Sequence, residues 1–263
     1  SDPGLICQQA AQLILTRAAQ GPFHVAQLAA DASAQLLANG MNPGGFIKDV
    51  LWTDPPEETG SWRDLYIWGP PGTVPQARGA GELTQPQRDH LRRIQDQSLR
   101  EVMDIVFASG RRSLESLRIA NATTDRIGAP APNPLVQEAA DGVIRLLGAR
   151  RRLSTHGAAS QPNPQGYVAQ FLSAVAQQHG LTPPAFAADI LHYLNGAGVL
   201  TQHVLMVQNL CLMRPGPSYF ECRQCRRVHL HPSGGICTDC HFALGLALPM
   251  AAAQPSPDYY GYL

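Results

Sequence analysis

Apolar positions follow a helical period over much of the chain. Leu5, Ile6, Ala10, Leu13 and Ile14 repeat at three- and four-residue spacing up to the break at Gly21-Pro22, and a second run from Val25 through Leu28, Leu36 and Leu37 stops at Gly40. A helical hairpin is predicted. Its second helix has no Lys or Arg between Val25 and Gly40, which favours a core or scaffold role over a DNA-reading one. From Pro86, suited to a helix first turn, Leu91, Ile94, Leu99, Val102, Met103 and Val106 draw one apolar stripe. Arg92, Asp96, Arg100 and Asp104 recur every fourth residue on another face, the pattern of a solvated, self-paired surface. After the proline-rich stretch 129–134, a short helix over Leu135–Leu147 runs into Arg150, Arg151 and Arg152.

Beyond a linker at 156–164 the period changes. Tyr167, Phe171, Leu172 and Val175 mark one helix, and Thr182-Pro183 opens another that holds Ile190, Leu191 and Leu194 and ends at Asn195-Gly196. Residues 199–213 are rich in strand formers, interrupted at Gln208-Asn209. Two helices followed by strands predict a helical hairpin docked on a small sheet, winged-helix-like in order. The second helix lacks Lys and Arg, which argues against a groove-reading role. The expected class is mainly α with a small β component. A helical domain is expected over 1–152, with a Trp/Pro-rich loop at 42–85, the hairpin unit over 165–214, a cysteine-rich segment over 215–248, and a linker with the start of another element over 249–263.

In the Trp/Pro-rich loop, Trp52, Trp62 and Trp68 suit pinning an irregular segment to the core, with base stacking as the alternative. Gly69-Pro70-Pro71-Gly72 is followed by Thr73-Val74, without the Lys-Ser/Thr that a phosphate-cradling loop needs.

The strongest chemical signal is Cys222-Arg-Gln-Cys225, followed eleven residues later by Cys237-Thr-Asp-Cys240. Each pair places two thiolates on one tight turn, so two turns can close a tetrahedral shell around a structural Zn²⁺. Strand-like Tyr219-Phe220 precedes the first pair, and the turn formers Pro232 to Gly235 precede the second, which is the layout of a zinc ribbon. Four thiolates leave no open position, so such a metal holds structure and activates no water. His229, His231 and His241 are near enough to substitute as ligands but are expected at the surface or the ribbon tip. Cys7 and Cys211 read as buried free thiols. No charged leader with an apolar core and no membrane-length apolar run is visible, so the expected setting is cytoplasmic, away from membranes, with reduced thiols.

Lys and Arg total 20 and balance 20 Asp and Glu, but unevenly. Residues 87–152 hold twelve cations against eight acids and form the only distinctly basic region. Nineteen of the twenty cations are arginine, which matches phosphate recognition but equally a habit of genome composition. Arg111, Arg112, Arg150, Arg151 and Arg152, with Arg223, Arg226 and Arg227 beside the first cysteine pair, have few carboxylates near them in sequence. They are the candidate phosphate contacts. A solvated helix end accounts for Arg150 to Arg152 nearly as well. Acidic residues are scattered, and no His, Cys or Ser has a supporting local motif for hydrolysis.

Several stretches together resemble a segment of the very large superfamily 2 DNA helicases of bacterial anti-phage defence loci, of the Druantia and DISARM kind. They are Ala38-Asn-Gly-Met-Asn-Pro-Gly-Gly45, Ile105-Val-Phe-Ala-Ser-Gly-Arg-Arg-Ser-Leu-Glu-Ser-Leu117, Val143-Ile-Arg-Leu-Leu147, the cysteine segment from Cys222 to Cys240, and Asp258-Tyr-Tyr-Gly-Tyr-Leu263. The resemblance implies an accessory insertion within a helicase, with DNA, the other helicase domains and defence-system subunits as partners. The chain has no Walker A, D-E-x-H box or second-lobe arginine motif, so the implied ATPase lies elsewhere and no enzyme activity is expected of these residues. The chain reads as an excised piece. The alternative is a zinc-stapled docking or spacer domain that touches no nucleic acid.

Overall fold

The computed structural model describes residues 13, 14, 17, 22–45, 51, 52, 58–70, 72–108 and 113–250, with the backbone alone at 51, 52, 58 and 59. Among these residues the α-helices are α1 (Val25–Ala38), α2 (Gln85–Val106), α3 (Pro134–Ala149), α4 (Gly166–Gln178) and α5 (Pro183–Gly196). The strands are all short: β1 (Phe23–His24), β2 (Leu51–Trp52), β3 (Glu58–Thr59), β4 (Tyr66–Ile67), β5 (Gln76–Ala77) and β6 (Asn121–Thr123). They continue with β7 (Leu200–Thr201), β8 (Val204–Leu205), β9 (Cys211–Met213), β10 (Ser218–Glu221), β11 (Val228–His229) and β12 (Leu248–Pro249). The class is thus mainly helical with a small β component. No helix among the described residues is long and apolar enough to cross a membrane. The first helix of the expected N-terminal hairpin falls mostly outside the described residues, as do Cys7, the side chain of Trp52, and residues 258–263.

The chain divides into two compact units, one formed by residue 13 and the described part of 27–102, the other by 14–26 and the described part of 103–250. In the first unit Leu37, Trp62, Leu65, Tyr66, Leu83 and Ile94 form the core, with Leu91 packed against it. Trp62 therefore pins its loop, as expected of that tryptophan. Ser61 and Asp64 cap each other's backbone around the short 3-10 turn Trp62–Leu65, which fixes the orientation of Trp62. Trp68 remains 38% exposed, donates its indole N–H to the Arg63 carbonyl at 2.8 Å, and sits edge-on to Trp62. On α2 the buried face includes His90 and Ser98 as well as the apolar stripe, and Ser98 Oγ donates to the Pro43 and Ile94 carbonyls. The charged face of α2 is not a simple ladder, since Arg92 pairs backward with Asp89 at 3.6 Å.

The second unit is built around α3. Asn133 caps it by accepting from the Val136 N–H at 3.0 Å, and Pro134 fills the first turn where its missing N–H costs nothing. The helix is buried from Val136 to Gly148 except at Glu138, because small residues at 139, 140 and 142 let neighbours approach on several sides. A Cβ at Gly142 would lie 2.4 Å from the Phe171 ring, so the α3–α4 contact requires glycine there. Strand β9 runs antiparallel between β1 and β6, with Phe23 and Ala122 both opposite Leu212. Asp141, fully buried, accepts from Thr123 at 2.6 Å and pairs with Arg126 at 2.6 Å, while Gln137, Thr124 and Tyr193 extend the network. Helices α4 and α5 form the expected hairpin, and Leu181 N–H returns to the Ala176 carbonyl across Gly180 at positive φ. A two-strand hairpin, β7–β8, follows, turning through Gln202 and His203, both at positive φ. The interruption expected at Gln208-Asn209 is a 3-10 turn leading into β9.

Candidate metal centre and adjoining polar cluster

Strand β10 pairs with β11 on one side and β12 on the other, and the two cysteine turns hang from this small antiparallel sheet. They share one backbone design. Cys222 N–H donates to the Arg227 carbonyl and Cys237 N–H to the Phe242 carbonyl, while Arg226 N–H returns to Cys222 O and His241 N–H to Cys237 O. Arg226 and His241, each directly after a second cysteine, both take φ of 60°. Two turns with little in common besides their cysteines thus adopt the same left-handed closure, a conformation that costs L-residues energy. The Cys225 and Asp239 N–H groups point at the Cys222 and Cys237 sulfurs at 3.5 and 3.4 Å.

The four sulfurs lie within 4.8 Å of one another, with Cys222 to Cys240 at 3.3 Å and Cys225 to Cys237 at 3.5 Å. A disulfide needs about 2.05 Å. A tetrahedron with metal–sulfur bonds of about 2.3 Å has edges of about 3.8 Å, close to what is seen. All four thiols are free, and the donor set fits one metal ion. Burial pushes the Cys222 thiol up, but N–H bonds from Cys225 and Gln224 and the neighbouring thiols bring it down to about 7, while burial pushes Cys237 up. A metal would hold all four as thiolates.

Two of the three histidines, His229 and His231, depart from the expected surface position, while His241 stays partly exposed. Among the described residues the ligand cluster is four cysteines and no histidine. His229 and His231 are buried, because the spacer between the cysteine pairs folds back onto the helical body instead of forming a solvated tip. Ser233, Gly234 and Gly235 all have positive φ, and His179 Nε2 lies 3.0 Å from the Gly234 carbonyl. A Cβ at Gly234 would meet Val175 at 2.5 Å, so the turn is pressed against α4. Ser233 Oγ bridges His229 Nδ1 and His231 Nδ1, each at 3.1 Å. Glu115 Oε1 accepts from the Leu230 N–H at 2.9 Å and lies 2.7 Å from Arg145 and 3.5 Å from His231. Burial lowers the His229 pKa well below its usual value, helped by Arg145, His231 and Arg227. Cys211, also buried, has its thiol pushed up to about 11 by burial.

The candidate phosphate contacts separate. Arg223 and Arg226 are exposed on the first cysteine turn, and no carboxylate is paired with either among the described residues. Arg150, also exposed, stacks on Tyr167 with its guanidinium 5.0 Å from the ring centre. The premise that the others lack nearby carboxylates fails in part: Arg151 pairs with Asp104 and Arg227 with Asp239. Asp104 is distant in sequence and Asp239 lies on the other cysteine turn, so local spacing hides both. Asp104, expected in the α2 ladder, also contacts His156 at 3.1 Å. Arg152 donates to the Ala159 carbonyl. Arg111 and Arg112 lie outside the described residues.

Arg150 and Arg227 line one cleft of about 350 Å³ together with Arg145, Glu115 and Asp239. Sequence reading missed Arg145 and Glu115. The signal for Arg145 was there, a lone cation inside the apolar run 143–147 of a short helix. Glu115, His229, His231 and Ser233 gave none, since their meeting depends on a loop folding back over more than a hundred residues of chain. No family model matches this chain, and no curated protein or solved structure is significantly similar to it.

Proposed function

We propose that this chain is a zinc-stapled accessory segment of a large superfamily 2 helicase of bacterial defence, contributing DNA-backbone contact and no motor chemistry. The metal is Zn²⁺, because four thiolates in tetrahedral array suit a borderline-soft ion that needs no open position. Zinc supplies rigidity there. The chain's own residues do the rest: paired turns orient the sulfurs, and Arg226 N–H closes the first turn. The observation that carries the DNA reading is the position of Arg223 and Arg226, exposed and, among the described residues, without a paired carboxylate, on a turn that the metal would hold rigid. Preorganised cations lose little entropy on meeting a phosphate chain, and such contacts carry no base sequence. Arg150, and Arg111 and Arg112 from the basic region, extend the proposed contact set.

A second reading is favoured by one observation. Phe242, at 57% exposure, and Leu246, at 80%, leave apolar surface beside the cysteine turns, as a protein-docking spacer would. Fluorescence anisotropy with zinc-replete protein at about 50 mM salt separates the two, because phosphate contacts lose about 0.9 log unit of affinity per log salt for each phosphate neutralised on duplex DNA. Weak, sequence-insensitive binding that falls steeply with salt is expected, with the slope flattened in R223E/R226E. No binding to single or double strands at low salt would favour the docking reading and remove the DNA contact.

A further inference from the structure

We propose that the cleft lined by Arg145, Arg150 and Arg227 is a binding pocket for one phosphate monoester, the terminal phosphate of a nucleotide or of a DNA end. Arg145 comes from α3, Arg150 from its C-terminal cap, and Arg227 from the first cysteine turn, so three separate backbone positions converge on one space.

Charge and hydrogen bonding both point to an anion. Among the described residues the cleft carries three guanidinium groups and two carboxylates, Glu115 and Asp239, an excess of one positive charge. Asp239 is paired with Arg227. Glu115 Oε1 is shared between Arg145, the Leu230 N–H and His231, so it satisfies Arg145 only in part. Arg145 is 9% exposed, and its Nη1 forms an ion pair with Glu115 at 2.7 Å. A guanidinium whose carboxylate partner also serves two other donors keeps part of its charge uncompensated, which favours a further anion beside it. Arg150 is exposed, held with its guanidinium carbon 5.0 Å from the Tyr167 ring centre, and has no carboxylate paired with it among the described residues.

Shape sets the class of ligand. About 350 Å³ is the small end of ligand pockets and holds a nucleotide-sized group, but no run of duplex backbone. Apart from Ser113, the remaining described wall is small and apolar, with Phe107 and alanines at 108, 120, 122 and 149, which leaves room for a sugar or base edge. A phosphodiester inside a strand carries one negative charge and two chain continuations. A monoester carries up to two charges and one continuation, so its whole phosphate can enter a cleft this small, whereas a diester has to leave it in two directions.

The test is equilibrium binding to the full, zinc-replete chain with four probes: thymidine, thymidine 5′-monophosphate, and one short single-stranded oligonucleotide carrying either a 5′-phosphate or a 5′-hydroxyl. The monophosphate is expected to bind at least roughly tenfold more tightly than thymidine. A similar advantage for the 5′-phosphorylated oligonucleotide identifies a DNA end as the source, and equal binding of the two oligonucleotides identifies the free nucleotide. Ala149→Trp fills the cleft from an exposed position without changing charge and is expected to abolish the preference. Arg150→Ala should weaken it, and Arg223→Ala, outside the cleft, should leave it intact while flattening any salt slope on longer DNA. Equal binding of thymidine and its monophosphate, or an unchanged preference in Ala149→Trp with a native melting profile, overturns the pocket while leaving the backbone-contact reading standing.

Discussion

Ser233 shows how much of this molecule rests on single polar atoms that sequence pattern cannot place. Its hydroxyl is the hydrogen-bond partner of two buried imidazoles. Ser233→Ala should therefore cost about 1–3 kcal/mol in urea denaturation, since both Nδ1 atoms lose that partner while still buried. A cost indistinguishable from zero would show that the bridge does not form. His229 gives the matching pH prediction. Its pKa is depressed in the folded chain, so below its ordinary value of 6.5 the unfolded state takes up a proton that the folded state refuses. The stability it contributes is thus present above that value and lost as pH falls toward the folded pKa. Wild-type protein should be less stable at pH 5.5 than at 7.5, with a smaller difference in His229→Leu. Equal differences in the two would acquit His229. Helical period marked Ile94, Val102 and Phe171, all of them buried, because it detects apolar side chains. It could not mark Glu115, Ser98 or His229, whose burial depends on partners brought from elsewhere in the chain.

Elements were legible where local chemistry decides. Thr182-Pro183 opens α5 with proline in the first turn, and the stop expected at Asn195-Gly196 falls within two residues of the Ala197 cap and the left-handed Gly198. The cysteine spacing likewise yields two equivalent turns, but nothing in it tells that the eleven-residue spacer packs against α4 instead of projecting. Substitutions test both features. Gly142→Ala should destabilise the second unit by about 1–3 kcal/mol by driving a methyl into Phe171, visible as a lowered urea midpoint. No change would show that the α3–α4 contact is looser than described. Arg226→Gly should act in the opposite direction, adding about 1 kcal/mol by relieving the left-handed residue while keeping the metal. Loss of stability there would mean that the arginine side chain matters more to the turn than its backbone strain.

At the scale of the whole molecule, the claim on which the rest depends is that one metal ion closes the two cysteine turns. The sheet β10–β11–β12 is too small to hold them by packing alone, its apolar cluster being Cys222, Cys237 and Leu244 with Phe220 and Cys240 alongside. The Arg227–Asp239 pair also joins one turn to the other, so the cleft wall depends on the same closure. Cys222→Ser is expected to unfold this region while the α3 core persists. ATP hydrolysis by the purified chain is expected to stay at background, since residues 69–74 supply no lysine for the phosphates. The direct measurement is native mass spectrometry of the purified full chain, with metal analysis and thiol titration on the same sample. One zinc per chain is predicted, with Cys222, Cys225, Cys237 and Cys240 becoming reactive only after chelation. Less than about half an equivalent of any metal, with those four residues recovered as disulfides, would contradict it.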